Sequence, residues 1–214
     1  MNLIYKNVNK NINKYDIIFI KDYLNYDIGF ISGFQTGIDY EGLKIIDNLR
    51  VKCSKRISLS GFTTYKNQAG EITIDNFSKY TSIVKLKNIS YNKRTVLNLT
   101  YSDITLIFAD QLNGGTLFTY KQCKNKNKKV FLLDKISEKN TDDLITIANE
   151  LADYTNNKIN KNKSIVINIA GNRLQKLYNY NKVLNNINKF FEIFIDKINK
   201  KIKPVYNTNN NFEL

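Results

Sequence analysis

Short buried strand-like runs alternate with helical patterns along this chain, and several of these runs end in a glycine turn. Residues 28–32, 81–86, 103–109, 130–133 and 165–169 are continuous apolar or β-branched stretches, the pattern of strands covered on both faces. Between them, residues 38–49, 91–101, the stretch from Asn113 to about Asn125, 141–154 and 179–202 carry helical spacing. Residues 16–20 and 55–60 read as two further strands, the second ending at a turn on Gly61. Alternation of this kind predicts an α/β protein, a Rossmann-like parallel sheet with helices on both faces. The expected organisation is a single ligand-binding domain over 27–204, an N-terminal extension over 1–26 and a flexible tail over 205–214.

In a parallel sheet of this type, ligands sit beyond the C-terminal ends of the strands. Three glycine turns would open onto that edge. The first is ISGFQTGID, with Gly33, Phe34, Gln35, Thr36, Gly37 and Asp39; the second is Asn113-Gly114-Gly115-Thr116; the third is Ala170-Gly171-Asn172-Arg173. The chain has only 9 glycines in 214 residues, so two of them four apart in the first turn stand out. A strand–glycine–helix turn presents free backbone N–H groups and a helix N-terminus, both favourable to an anion. Gly33 would permit a sharp exit from the strand, and Gly37 a close approach of backbone to ligand. Each turn taken alone is equally a tight turn with a capped helix; the spacing is neither a dinucleotide fingerprint nor a Walker loop.

The formal charge is +14, with four arginines against 29 lysines. Lysine, asparagine, isoleucine and tyrosine are heavily used throughout, as A/T-rich coding produces. The lysines read as scattered, many of them in Asn/Lys loops such as 124–129 and 156–163, so a nucleic-acid partner is not the favoured reading. Arginine offers a planar fork that lysine lacks. Arg94 precedes the second turn and Arg173 ends the third, so both are candidate phosphate ligands, with Thr95 beside the first. Arg50 and Arg56 read as surface pairs.

Histidine is absent, which removes imidazole acid–base chemistry, and two cysteines without histidine make zinc improbable. They fit a reducing compartment, and no apolar run reaches the roughly 20 residues needed to cross a bilayer. The expected location is cytoplasmic, with no membrane partner and no metal site. Asp39, Glu41, Glu71 and Asp110 are the acids within reach of the turns; none forms a recognisable catalytic pair, and no catalytic residue is assigned.

The motifs resemble those of the molybdenum cofactor carrier protein family, in the Rossmann-like superfamily that includes the Lonely Guy phosphoribohydrolases. ISGFQTGID resembles that family's IISGGQTGVDR opening. YNKRTVLNLTYSDITLIFAD (91–110) resembles its Arg-Thr, Asn-Val, Ser-Asp stretch, matched by Arg94, Thr95, Asn98, Ser102 and Asp103. NGGT (113–116) resembles its TGGT turn, and INIAGNR (167–173) its terminal NVAGPR turn. GFTTYKNQAGEI (61–72) stands where the family has a GGWCPKGRRAEDGP-like loop. Phe34 replaces the family's second glycine, and could stack on a ligand base or close the pocket. GGTLFTYKQ lacks the glutamate of the Lonely Guy PGGxGTxxE pattern. The resemblance implies a parallel sheet with an anion-binding rim, often in an oligomer. The ligand it implies is phosphorylated, a nucleotide or the molybdenum cofactor. Binding without turnover ranks first, a nucleotide N-glycosidase or phosphoribohydrolase second, and a basic nucleic-acid-binding protein third.

Overall fold

The computed structural model describes residues 26–64, 81–86, 89–161 and 163–200. The expected N-terminal extension up to residue 25, its strand over 16–20, Glu71 and the tail over 205–214 lie outside the described residues.

Six strands form one parallel sheet: β1 (Ile28–Ser32), β2 (Ile57–Thr64), β3 (Thr81–Leu86), β4 (Ile104–Ala109), β5 (Lys129–Asp134) and β6 (Ile165–Gly171), in the spatial order β3-β2-β1-β6-β4-β5. Among the described residues, four helices lie between strands, α1 (Ile38–Leu49), α2 (Tyr91–Thr100), α3 (Gly114–Asn125) and α4 (Thr141–Ile159), and a fifth, α5 (Tyr180–Asn199), follows β6. This is the Rossmann-like α/β arrangement that the alternating pattern predicts. The strand order reverses at β1 and β6, where β6 enters between β1 and β4. Such a switch point leaves a crevice beyond the strand ends.

Strand parity sorts the side chains between two layers. Ile28 and Phe30 of β1, Leu106 and Phe108 of β4, and Ile165, Ile167 and Ile169 of β6 face a large apolar core with α1, α4 and α5. The alternating positions Ile31, Phe62 and Val166 fall in smaller clusters with Leu97 and Tyr101, on the side of α2. Helix α5 supplies Phe190, Phe191 and Phe194, which meet Phe30 and Phe108 edge-to-face at centroid separations of 5.3–6.2 Å. Aromatic pairs prefer this geometry, since ring edge and ring face carry opposite partial charge.

Gly61 corrects one expectation. It does not end β2, which runs through it from Ile57 to Thr64. A Cβ there would lie 2.1 Å from the Ser32 carbonyl oxygen of the neighbouring strand, and its φ is +149°. The glycine marks a close passage of two backbones, not a turn.

Phe108 is fully buried against two rings. Phe108→Ala is expected to lower unfolding free energy by about 3–5 kcal/mol, measured by urea denaturation; a loss under about 1 kcal/mol would contradict this packing.

Candidate functional site

The first turn is organised by Ser32. Its hydroxyl accepts from the Phe34 N–H at 3.1 Å and donates to the Asp39 carbonyl at 2.9 Å, folding the strand exit back onto the start of α1. Phe34 takes a left-handed conformation, φ +56°, and its ring is buried in the main core. It therefore neither stacks on a ligand nor closes the pocket; the ring is an anchor below the turn. Gly37, with φ +101°, is the residue before α1. A Cβ on it would come within 2.5 Å of the Asn172 carbonyl oxygen. Its bareness serves the packing of two turns, and it is not a cavity wall.

Gly33 has a different reason. A Cβ there would fall 1.0 Å from Nη1 of Arg94, so the guanidinium lies in the space the missing side chain leaves. Arg94 is 4% exposed, and Nη1 donates to Oδ2 of Asp39 at 3.3 Å. Oδ1 of Asp39 accepts from the Gly171 N–H at 3.2 Å. The arginine read as a free phosphate ligand is thus half of a buried ion pair joining α2, α1 and β6. Burial pushes the Asp39 carboxyl above the ordinary carboxylate range, against the opposing pull of Arg94 and the Gly171 N–H. Among the described residues, the Nε of Arg94 has no hydrogen-bond partner, nor does Nε2 of Gln35.

Asn172 was not singled out in the sequence, although it sits inside the quoted AGNR turn. It is 1% exposed. Its Oδ1 accepts from the Asp110 and Gln111 N–H groups at 2.7 and 3.1 Å. Its Nδ2 donates to the Gln111 carbonyl at 2.8 Å and to Thr116 Oγ1 at 3.1 Å. Its own carbonyl accepts from the Ile38 N–H at 3.1 Å. One residue thereby ties the exits of β4 and β6 to the starts of α1 and α3. Asp110, a candidate base in the sequence, holds the neighbouring loops instead, accepting from Ser137 N–H at 2.8 Å and Tyr178 N–H at 3.0 Å.

These turns enclose one cavity of about 320 Å³. Gly33, Gln35, Asp39, Arg94, Thr95, Asn113, Gly115, Thr116, Gly171 and Arg173 line it, together with Tyr91, Phe118, Asn168 and Lys176. Ten of the fourteen candidate residues therefore come together; Phe34, Thr36, Gly37 and Gly114 are not in its wall. Arg94 and Arg173 both approach the Tyr91 ring, at 5.8 and 5.4 Å from its centroid. Lys176 reaches the second turn and donates to Asn113 Oδ1 at 2.8 Å. As one lysine among 29, it carried no signal in the sequence.

Helices α2, α4 and α5 have side-chain N-caps from Ser90, Asn140 and Asn179. Helices α1 and α3, which begin at glycine turns, have none. At α3 the Asn113 side chain is drawn away to Lys176 and to Gln111. The first N–H groups of α3, at Gly114, Gly115 and Thr116, have no acceptor among the described residues, as at any uncapped helix start. Gly115 also lacks a fold reason to be glycine: a Cβ on it would meet nothing within 4 Å. Among the described residues, no group of His, Cys, Asp or Glu could hold a metal ion.

Residues 30–191 match the circularly permutated YpsA SLOG family. The chain belongs to that family. The chain also resembles a crystal structure from Syntrophus aciditrophicus SB of a protein named as a molybdenum carrier. The likeness has TM-score 0.56 and 22% identity, and covers 79% of this chain and 96% of that one. At that identity the likeness shows the shared fold. No curated protein sequence matches. Arg94, Asn98, Ser102 and Asp103 of this SLOG chain all bind within the fold. Asn98 exchanges two hydrogen bonds with the Phe62 backbone at 3.0 and 3.1 Å, and Asp103 accepts from the Val166 N–H at 2.8 Å.

Asn172→Ala is expected to cost about 2–4 kcal/mol, because two buried N–H groups lose their acceptor; urea denaturation showing no change would contradict the clamp. Asp39 gives a pH test. A carboxyl raised by folding adds most to stability below its unfolded pKa, about 3.9, and loses that contribution as pH climbs through the raised value. The stability deficit of Asp39→Asn should therefore shrink as pH rises above about 4, and a deficit that widens would contradict it.

Proposed function

We propose that this protein binds a small phosphorylated ligand, nucleotide-like or molybdopterin-type, and holds it without turning it over. The observation that carries this reading is the single cavity in which uncapped N–H groups of α3 stand beside Arg173 and Lys176. Backbone donors and a helix N-terminus favour a phosphate there. Deeper in the site, the unpartnered Nε of Arg94, Nε2 of Gln35 and the buried Asn168 amide suit the neutral hydrogen-bonding edge of a base or pterin. A volume of about 320 Å³ is at the small end for such pockets.

Binding is favoured over hydrolysis because the acid on the cavity wall, Asp39, is held by Arg94 and Gly171, and Asp110 by two backbone N–H groups. A general base needs a carboxylate free to reach the substrate. The structural relative is named a molybdenum carrier, which supports including molybdopterin in the ligand screen. The free thiols of Cys53 and Cys123 support a reducing, cytoplasmic setting, and no described helix is long and apolar enough to cross a membrane.

Calorimetry with nucleoside monophosphates, ADP-ribose and molybdopterin should give saturable binding to at least one. Gly115→Val is expected to change stability by no more than about 1 kcal/mol, since its side chain enters open space, yet to weaken binding at least tenfold. Arg173→Ala should weaken it by about tenfold, the loss of one charge-assisted pair. Absence of binding to every compound, or Gly115→Val binding like the parent, would overturn the proposal.

A further inference from the structure

The cavity leaves most of the positive charge unexplained. Because all six strands run parallel, every helix-to-strand connection lies at the edge opposite the cavity. Two lysine-rich runs fall there: KNKNKK (124–129), which ends α3 and enters β5, and KINKNK (158–163), which ends α4 and leads to β6. They are about thirty residues apart in sequence, and the fold sets them side by side. Nζ of Lys129 and Nζ of Lys158 approach the same Tyr154 ring, at 5.9 and 5.6 Å from its centroid. Lys128 is fixed between them and β4, donating to the Ser102 carbonyl at 2.7 Å.

Lys124, Lys126, Lys129, Lys161 and Lys163 are exposed, and none of the five forms an ion pair with a described residue. The acids nearby are engaged: Asp103 accepts from the Val166 N–H, and Asp153 pairs with Lys197 at 3.5 Å. A/T-rich coding would spread lysine over both edges alike. At the cavity edge, however, acids stand among the cations: Asp110, Asp134, Glu138, Asp142 and Asp143. The opposite edge also holds Asp27 and Asp47, paired with Arg56 and Arg50, but neither lysine run contains an acid. Favourable helix C-terminal charge explains a lysine in a last turn, but not the lysines that continue through both connections.

We propose that this lysine corner binds the phosphodiester backbone of nucleic acid, without sequence preference, on the face away from the ligand cavity. Multiple exposed lysines neutralising successive phosphates release counterions, which supplies sequence-independent affinity. An anionic membrane is the less favoured occupant, because surface-bound proteins insert apolar side chains. The large exposed hydrophobics among the described residues, Val51, Ile145, Leu174 and Tyr178, all lie outside the two runs.

The test uses the full chain and fluorescence polarisation with labelled RNA and DNA of about 20 nucleotides, single-stranded and duplex. With about four or five phosphate contacts, affinity should fall about a hundredfold between roughly 50 and 200 mM salt. The fourfold variant Lys124→Glu, Lys126→Glu, Lys161→Glu, Lys163→Glu should lose at least tenfold more affinity than the charge-matched control Lys44→Glu, Lys93→Glu, Lys135→Glu, Lys182→Glu. Preference for RNA or DNA names the source of the phosphodiester. Equal losses in the two variants would overturn the proposal by showing a bulk-charge effect. So would no binding at low salt, or stronger corner-dependent binding to phosphatidylserine vesicles than to either nucleic acid.

Discussion

The rim of this molecule depends on the Asn172 side chain. Three loops at the C-terminal edge of a parallel sheet have no ladder to hold them, and each must find its own partners for exposed N–H and C=O groups. Asn172 meets that need at the junction, with two bonds accepted by its amide oxygen, two donated by its nitrogen, and a backbone carbonyl that receives the first N–H of α1. Its backbone position brings Arg173 next in sequence to the mouth of the cavity. With the junction satisfied internally, the N–H groups of α3 are left as the unpartnered donors.

Beneath the rim, the two faces of the sheet do different work. One is an apolar layer in which Phe30 and Phe108 interlock with rings of α5, and this layer supplies the bulk of the buried surface. The other is thinner and more polar. Asn98 reaches the Phe62 backbone, Arg94 lies over the bare Gly33, and Asn168 is buried with its side chain toward the cavity wall. Polar groups buried this way are costly unless paired, and the unpartnered Nε of Arg94 and Nε2 of Gln35 are exceptions located at the cavity. Other unpartnered buried atoms, such as Ser58 Oγ and Thr155 Oγ1, belong to residues away from the cavity, whereas these two donors belong to its wall.

Much of this was legible in the chain before any coordinates. The helix over 38–49 matches to the residue, because its apolar spacing coincides with a buried face, and the strand over 81–86 has the expected bounds. Ten cavity residues were legible because glycine turns after parallel strands must share one edge. The failures have physical causes. Phe34 was read as a ligand contact, but Ser32 turns the backbone so that its ring enters the core. Arg94 reads in the sequence as a phosphate ligand, and nothing local reveals that Asp39, in another helix, pairs with its guanidinium. Gly61 was read as a turn, because close passage between strands leaves no mark in one strand's own sequence. The lysine runs were read as scattered, and only the packing of α4 against β5 joins them.

The account places the two kinds of positive charge at opposite edges: a few cations positioned around backbone donors at one, a broad lysine surface at the other. Its central claim is that the open N–H groups of α3 are the anion-gripping element. Amide-resolved NMR during titration with a nucleoside monophosphate tests this most directly. The amide signals of Gly114, Gly115 and Thr116 should move together and saturate, with the Gln35 side-chain amide following them. Shifts confined to Lys124–Lys129, or none at all in the α3 first turn, would contradict it.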